Sequence, residues 1–256
     1  MTPKDPMAMA CVNLYGVLGA LPKLCAVDDE CKAVLAGLKK PISLCFAVKD
    51  GPCATFRFSR EGCETVEGDP DSGAKMTFAT PEAFNNLIDN AKPGFPARKP
   101  IETLTFLAGP FSKITDRLSA CMRPKEEQLA DPAFFEKNTL LTLHVVAGAV
   151  AALANYDPIA KISAANTVDG AISLGIRDKE YLTLHCKNSV FSVKRKKCDS
   201  PRAAMEFASV ELANGLFAGT VSTMNEMCKG NIRLAGMCSM LDNVNRILDR
   251  VSVYLA

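Results

Sequence analysis

The sequence repeats itself, and this repeat constrains the fold more than any other feature of the chain. Ile42-Ser43-Leu44 recurs as Ile172-Ser173-Leu174, and Leu107-Ala108-Gly109 recurs as Leu234-Ala235-Gly236. A third match pairs Ala74, Met76, Phe78, Ala79, Asn85 and Leu87 with Ala203, Met205, Phe207, Ala208, Asn214 and Leu216. The three matches have nearly the same spacing along the chain and keep the same order, which predicts two diverged copies of one unit, residues 1–128 and 129–256. One large α+β domain with chance matches is the alternative.

The two copies share a predicted order of elements. A helical region opens each copy, over residues 12–38 and 132–165. Alternating segments then predict a meander, namely ISLCFAV, CATFRFS and MTFA in the first copy and AISLGIRD, EYLTLHC, SVFSVKRK and MEFA in the second. A helix follows each meander, with Thr80 or Ser209 as its N-cap. In the second copy, a short strand at residues 232–234 and an amphipathic helix from Cys238 complete the unit.

Composition places the chain among soluble globular proteins. It is 48% hydrophobic and 23% charged, with a net charge of +2. Residues 1–128 carry 16 basic and 16 acidic side chains, and residues 129–256 carry 14 and 12, so neither half predicts nucleic-acid binding. The most apolar stretch, residues 139–154, falls short of the ~20 residues that span a bilayer and predicts a buried helix. Residues 7–21 predict an amphipathic helix rather than a signal peptide.

Eleven cysteines are a high number for this length. The count is odd and no N-x-Ser/Thr sequon is present, which predicts reduced thiols in a cytoplasmic protein. Most of them are expected to be small buried hydrophobes. With no C-x-x-C pair and only two histidines, no zinc site is predicted. A redox or metal role for some of the thiols is the alternative.

The sequence contains none of the common enzyme motifs, neither G-x-S-x-G, Walker A, G-x-G-x-x-G nor H-E-x-x-H. His144 lies in the apolar stretch and is predicted to be a core residue. Cys186 follows His185, but neighbours on a strand point to opposite faces, so they predict no catalytic pair. We therefore expect a protein that is not an enzyme and has no cofactor.

The order of helix, antiparallel meander, helix, single strand and C-terminal helix resembles the sterol carrier protein type 2 domain. The resemblance lies in residues 204–241, AMEFASVELANGLFAGTVSTMNEMCKGNIRLAGMCSML. In the family, the last strand carries the pattern Gly-Lys-apolar-x-apolar-x-Gly, and residues 230–236 follow it with Asn231 in place of the usual Lys. The first copy follows the pattern more loosely, in AKMTFATPEAFNNLIDN and then IETLTFLAG. It has no glycine before the strand, and Pro93, Pro96 and Pro100 lie in the connection.

The resemblance implies an α+β fold of two tandem sterol-carrier-like units, each a mostly antiparallel sheet covered by helices on one side. It implies an internal apolar tunnel that binds or transfers a fatty acid, acyl-CoA, sterol or phospholipid without covalent chemistry. In the second copy the implied lining is Met205, Phe207, Leu212, Leu216, Phe217, Met224, Met227, Leu234, Met237 and Met240. In the first copy it is Met76, Phe78, Phe84, Leu87, Ile88, Leu104, Phe106, Leu107 and Phe111.

The residue chemistry fits a lipid ligand but leaves alternatives open. Five of the ten methionines lie in residues 205–240 and suit a surface that repacks around varied apolar ligands, although they could equally fill a core. The basic run Lys194, Arg195, Lys196 and Lys197 could contact a membrane surface transiently, or be a solvated charged strand edge. The alternatives to lipid binding are a cysteine-rich redox- or metal-responsive protein and a pseudo-dimeric interaction scaffold.

Overall fold

The computed structural model describes residues 4–69, 73–90 and 101–255. Packing divides the chain into two compact units, one ending at Lys137 and the other beginning at Asn138. The division lies inside the helix Pro132–Tyr156, whereas the repeat pattern places it before that helix, between residues 128 and 129. Pro93, Pro96 and Pro100 of the predicted connection lie outside the described residues.

Unit 1 opens with a helical run that begins at Pro6. The run comprises α1 (Pro6–Cys11), a π-helical segment (Val12–Val17), a 3₁₀ turn (Leu18–Ala20), α2 (Leu21–Val27) and α3 (Asp29–Ala36). Asp5 caps α1 by accepting a hydrogen bond from the N–H of Ala8 at 2.8 Å, and Asp28 caps α3 in the same way. The predicted helical region is therefore present, but it starts earlier and is broken at Asp28.

The sheet of unit 1 contains β1 (Ile42–Val48), β2 (Cys53–Ser59), β3 (Gly62–Glu67) and β4 (Ala74–Phe78) in the order β3-β2-β1-β4. The β1–β2 and β2–β3 pairs are antiparallel, and β4 joins β1 in parallel. α4 (Pro81–Asn90) follows, and the hydroxyl of Thr80 accepts the N–H of Ala83 at 3.2 Å. The predicted N-cap is confirmed.

The segment that the repeat pattern assigns to a last strand of unit 1 is helical instead. α5 (Ile101–Phe106) leads through a π-helical segment (Leu107–Phe111) into α6 (Ser112–Met122), and the short helix α7 (Glu126–Leu129) follows. Phe111, Ile114 and Leu118 extend the apolar spacing at three- and four-residue steps and are buried, which favours a helix. Pro110 lies in the π-helical turn, where the missing N–H is accommodated by wider hydrogen bonding.

Unit 2 repeats the plan with an additional strand. Its elements are α8 (Pro132–Tyr156), whose first turns belong to unit 1, α9 (Ala160–Ala165), β5 (Gly170–Ile176), β6 (Glu180–Lys187), β7 (Val190–Lys194), β8 (Ala203–Phe207), α10 (Val210–Phe217), α11 (Thr223–Cys228), β9 (Ile232–Gly236) and α12 (Cys238–Leu255). The strand order is β7-β6-β5-β8-β9, and only β5–β8 is parallel. Ser209 caps α10 by accepting the N–H of Leu212. The predicted α+β class, with mostly antiparallel sheets, is confirmed.

The registers of β1 and β5 correspond at an offset that the triplet match does not give. β1 and β5 are of equal length, have the same burial pattern, and begin at Ile42 and Gly170. The structural counterpart of Ile172 is therefore Leu44 rather than Ile42, because Leu44 pairs with Ala74 and Ile172 pairs with Ala203. The triplet match was two positions out of register. A shift by two keeps every side chain on its face, so alternation alone does not detect it.

Within the part of the chain that the structure describes, two helical runs are long and apolar enough to cross a membrane by length and composition, Pro6–Val27 and Pro132–Tyr156. In their most apolar windows, 67% and 83% of the residues are buried inside the protein. The predicted apolar stretch 139–154 lies within the second run, which is longer than the stretch itself. Burial of this extent is typical of core helices in soluble proteins.

Candidate functional site

The ligand-lining residues predicted for unit 2 fall into two groups. Met205 and Phe207 on β8 and Met240 on α12 are buried, and the α10 residues Leu212, Leu216 and Phe217 are half-buried. Four others are exposed, and we call them the apolar patch: Met224, Met227, Leu234 and Met237. The predicted set therefore consists of the exposed apolar patch and a buried group, Met205, Phe207 and Met240, which we call the floor.

The sheet register places Leu234 of the apolar patch beside Met205 of the floor. Leu234 pairs with Met205 and Ile232 pairs with Phe207, so these side chains share one face of the sheet. Ile232 is only 5% exposed, whereas Leu234 is 36% exposed. The Phe207 ring lies edge-on to Phe217 of α10, with centroids 6.0 Å apart. The inner face of β9 is thus covered at one end and open at the other.

α11 carries Met224 and Met227 and packs against β9. A polar network holds it there, because the Asn231 side chain donates to Glu226 at 2.6 Å and Lys229 donates to the same carboxylate at 2.7 Å. These two donors lower the pKa of Glu226. Asn231 also accepts the N–H of Ala208 through its carbonyl at 2.9 Å. The residue that departs from the family pattern therefore joins α11 to the start of β9.

Gly236 ends β9 where the sequence predicts it. Its φ is +81°, and a Cβ at this position would collide with the carbonyl oxygen of Arg202. The same carbonyl accepts the N–H of Met237 at 2.9 Å, which turns the chain into α12. Glycine is required here, and the turn it permits positions Met237 in the patch.

The ligand-lining residues predicted for unit 1 are buried or half-buried, and their aromatic rings belong to one cluster. Met76, Phe84, Phe106, Leu107 and Phe111 are buried, while Phe78, Leu87, Ile88 and Leu104 are half-buried. Phe58 lies 5.3 Å from Phe106 and 5.8 Å from Phe111 between ring centroids, and Phe78 lies 5.2 Å from Phe84. Aromatic rings occupy the interior of unit 1, and a helix takes the place of the outer strand that carries Leu234 in unit 2.

The basic run of unit 2 begins at the last residue of β7 and continues into the following loop, and all four residues are exposed. The Lys197 ammonium lies 4.1 Å from the centroid of the Tyr181 ring. Partial burial, together with the charges of Lys194 and Lys196, lowers the pKa of His185. The field at this edge is therefore positive.

Most of the cysteine thiols, and the imidazole of His144, are buried. Seven of the eleven thiols are buried, two are half-buried and only Cys228 and Cys238 are exposed. Burial raises the pKa of Cys121, of Cys186 and, to about 11, of Cys45, so these thiols stay protonated at neutral pH. His144 is buried and lies 3.2 Å from a Glu180 oxygen. Among residues 4–69, 73–90 and 101–255, no group of three or more His, Cys, Asp or Glu side chains could hold a metal ion.

Sequence reasoning missed two buried carboxylates, Asp28 and Asp157. Asp28 accepts Arg117 at 2.9 Å and Lys137 at 2.6 Å, and Asp157 accepts Arg250 through two nitrogens at 3.0 and 3.1 Å. The only sequence signal was that Asp28 and Lys32 recur in the second copy as Asp157 and Lys161. Both carboxylates are engaged within the core, so their role is structural.

No protein-family model matches the chain, and no curated protein matches it. Several solved structures of sterol carrier protein 2 domains do match. A palmitated sterol carrier protein 2-like protein of Aedes aegypti is 16% identical over 40% of this chain and 90% of its own, with a TM-score of 0.31. Sterol carrier protein 2 of Yarrowia lipolytica is 16% identical over 40% of this chain and 92% of its own, with a TM-score of 0.30. The sterol carrier domain of the ubiquinone synthesis protein UbiJ is 12% identical over 41% and 94%, with a TM-score of 0.32.

Proposed function

We propose that unit 2 binds a lipid-like apolar ligand, such as a fatty-acyl chain or a sterol, without covalent chemistry. The observation that carries this proposal is the apolar patch above a buried apolar floor. Met224 is 68% exposed on a six-residue helix that packs against β9. Three more large apolar side chains are exposed on the same helix, on β9 and directly after β9, namely Met227, Leu234 and Met237. Clustered apolar exposure of this kind marks interaction or ligand sites more often than ordinary surface. The ligand would lie between the inner face of β8–β9 and helices α10–α12.

The chemistry of the patch suits a ligand of variable shape. Three of its four residues are methionines, whose unbranched thioether side chains adapt to different apolar surfaces at little cost. The floor residues Met205 and Phe207 supply apolar contact, and the family that residues 204–241 resemble holds lipids by such contacts. An acyl chain that covers the patch would remove apolar surface from water, which would favour binding by about 25 cal/mol for each Å² buried.

Unit 1 is proposed to be a non-binding copy of the same unit. Its interior is filled by phenylalanine rings, and α5 replaces the strand that forms one wall of the site in unit 2.

The protonated thiols support neither of the thiol-based alternatives. We place the protein in the cytoplasm, where reduced thiols persist.

Native mass spectrometry followed by organic extraction tests the proposal. We expect an adduct of a few hundred daltons that extracts into organic solvent, with one ligand per chain. A protein that keeps the bare chain mass after incubation with fatty acids and acyl-CoA would contradict lipid binding. Two ligands per chain would contradict the assignment of unit 1.

Substitutions in the patch locate the site. Leu234→Asp and Met227→Asp should abolish uptake of a fluorescent fatty acid, because an ionised carboxylate in an apolar site is strongly destabilised. Both positions are partly exposed, so the fold should tolerate the change. Ile162→Asp is the matched control, because Ile162 on α9 is 65% exposed and lies outside the patch. Unchanged uptake by a folded Leu234→Asp protein would place the site elsewhere.

A further inference from the structure

One edge of the unit 2 sheet carries a concentration of positive charge. We call Lys194, Arg195, Lys196 and Lys197 the basic edge; it comprises the end of β7 and the loop after it. Asp199 is the nearest acidic residue along the chain, so this segment keeps a clear positive excess. Val190, at the other end of β7, is 59% exposed and lies on the same sheet face as Lys194. The edge therefore combines exposed cations with an exposed apolar side chain.

Unit 1 shows that the fold does not require these charges. Thr55 on β2 pairs with Val66, and its hydroxyl donates to the carbonyl of Gly68 at 2.8 Å. Thr183 on β6 pairs with Lys194, and its hydroxyl donates to the carbonyl of Lys196 at 2.7 Å.

The equivalent four residues of unit 1 are Val66, Glu67, Gly68 and Asp69. The equivalent positions thus carry two negative charges in one unit and four positive charges in the other. Unit 1 carries acidic residues at the equivalent edge, so protection of this edge does not by itself require positive charge.

The nearby carboxylate on the same sheet face does not neutralise the edge. Glu206 on β8 accepts Arg177 at 3.0 Å and the hydroxyl of Tyr181 at 2.8 Å, so its charge is already compensated. Tyr181 in turn lies under Lys197. Burial first, and then the charges of Lys194 and Lys196, lower the pKa of His185, and all four residues of the basic edge are exposed to solvent.

We propose that the basic edge docks the protein on an anionic phospholipid bilayer. This inference rests on the proposed function, because a carrier of lipid-like ligands must meet a membrane to load or unload. Clustered lysines and arginines are attracted to anionic headgroups, and an exposed valine at the other end of the same strand can add apolar contact with the headgroup region. The edge has no exposed aromatic side chain for base stacking, which favours a membrane over single-stranded nucleic acid.

The sheet order separates docking from ligand binding. β7 and β9 are the two outer strands of the five-stranded sheet, so the basic edge and the apolar patch lie ~19 Å apart across four strand spacings. A bilayer at β7 would leave the patch uncovered. We therefore expect substitutions at one site to leave the other function intact.

Vesicle co-sedimentation of the full chain tests the docking. We expect the protein to pellet with phosphatidylcholine vesicles that contain phosphatidylserine and to stay in solution with pure phosphatidylcholine. Raising the ionic strength from about 0.1 M to about 1 M, which shortens the Debye length from ~10 to ~3 Å, should release it. Equal binding to both vesicles, or no binding to either, would overturn the proposal.

A graft from unit 1 provides the decisive variant. Replacing the basic edge by its counterpart, Lys194→Val, Arg195→Glu, Lys196→Gly and Lys197→Asp, keeps the carbonyl that Thr183 uses and lowers the net charge by six. Vesicle binding should fall by at least about tenfold. The control carries Lys39→Glu, Lys113→Glu and Lys161→Glu, three exposed lysines outside the basic edge with the same change in net charge. It should bind vesicles nearly as wild type does.

Failure of the docking inference and failure of the proposed lipid binding would give different experimental results. A graft that takes up fatty acid normally and still pellets with anionic vesicles overturns the docking inference but not the proposed function. A Leu234→Asp protein that docks but takes up no fatty acid supports both. Displacement of the vesicles by an equal charge of single-stranded DNA, with tighter binding to the DNA, would identify the edge as a nucleic-acid surface and overturn the membrane assignment.

Discussion

Asp28 and Asp157 occupy the same place in their two units. Each is buried just after a helix and accepts the N–H three residues further on, Cys31 at 3.0 Å and Ala160 at 2.9 Å. An arginine from the last long helix of the same unit pairs with each carboxylate. The two units thus share a buried ion pair as well as a strand order.

Removal of one of these carboxylates should be costly. Asp157→Asn leaves Arg250 buried without its charge partner, and we expect a loss of about 3–5 kcal/mol in the free energy of unfolding. Chemical denaturation measures it. The control is Asp242→Asn, which removes an exposed pair to Arg246 on α12 and should cost under about 0.5 kcal/mol. Similar losses from both variants would contradict a buried ion pair at Asp157.

The pH dependence of stability should reflect the same pair. Burial alone would raise the pKa of Asp157, but hydrogen bonds from Arg250, the N–H of Ala160 and Tyr254 outweigh it, so the pKa lies below its ordinary value of 3.8. The pair therefore stabilises the folded state fully above the unfolded-state pKa of about 3.9, and this contribution is lost as the pH falls through the folded-state pKa. Unfolding curves at pH 7 and in acid should show a smaller acid loss for Asp157→Asn than for wild type. An equal loss would exclude Asp157 as a source of acid sensitivity.

Two glycines that the repeat pattern equates should respond oppositely to alanine. Gly236→Ala places a Cβ against a carbonyl at positive φ and should lower the free energy of unfolding by about 1–3 kcal/mol. Gly109 lies in a helical segment with nothing near its Cβ position, and Gly109→Ala should be neutral or stabilise by up to about 1 kcal/mol. Thermal unfolding measures both. A large loss at Gly109 would favour the strand that the sequence predicted there.

The thiols should differ widely in reactivity. Cys228 and Cys238 are exposed and should react first with an aromatic disulfide reagent, while the seven buried thiols react only after unfolding. Cys45 should be among the slowest, because burial raises its pKa to about 11. Peptide mapping of the labelled sites gives the order. Fast labelling of Cys45 in the native protein would contradict its burial. It would also support the alternative hypothesis of a redox- or metal-responsive protein.

Most of the fold could be predicted from the sequence because its signals are local. Alternation marked β5 to β7, and the hydroxyls of Thr80 and Ser209 identified two helix starts. Residues 101–109 were misassigned to a strand because a short apolar run fits a strand or a buried helix equally well. The helical spacing that decides the question lies further on, at Phe111, Ile114 and Leu118.

The sequence predicted which residues belong to the candidate site but not which of them are exposed. The resemblance named Met224, Met227 and Leu234, but their exposure depends on how far α11 and α12 cover β9, which is a tertiary property. Asp28 and Asp157 were invisible as a pair because their partners are far away in the sequence, at Arg117 and Arg250. Only spatial contact shows that both carboxylates are buried.

Any amino acid can occupy position 196 as far as the hydrogen bond from Thr183 is concerned, because the acceptor is a main-chain oxygen. This hydrogen bond therefore places no demand on the neighbouring side chains, and the same holds for the hydrogen bond to Gly68 in unit 1. Mutation can reverse the charge of either edge with little loss of stability for selection to oppose. The surface specificity of the two halves can thus evolve separately while their scaffold stays the same.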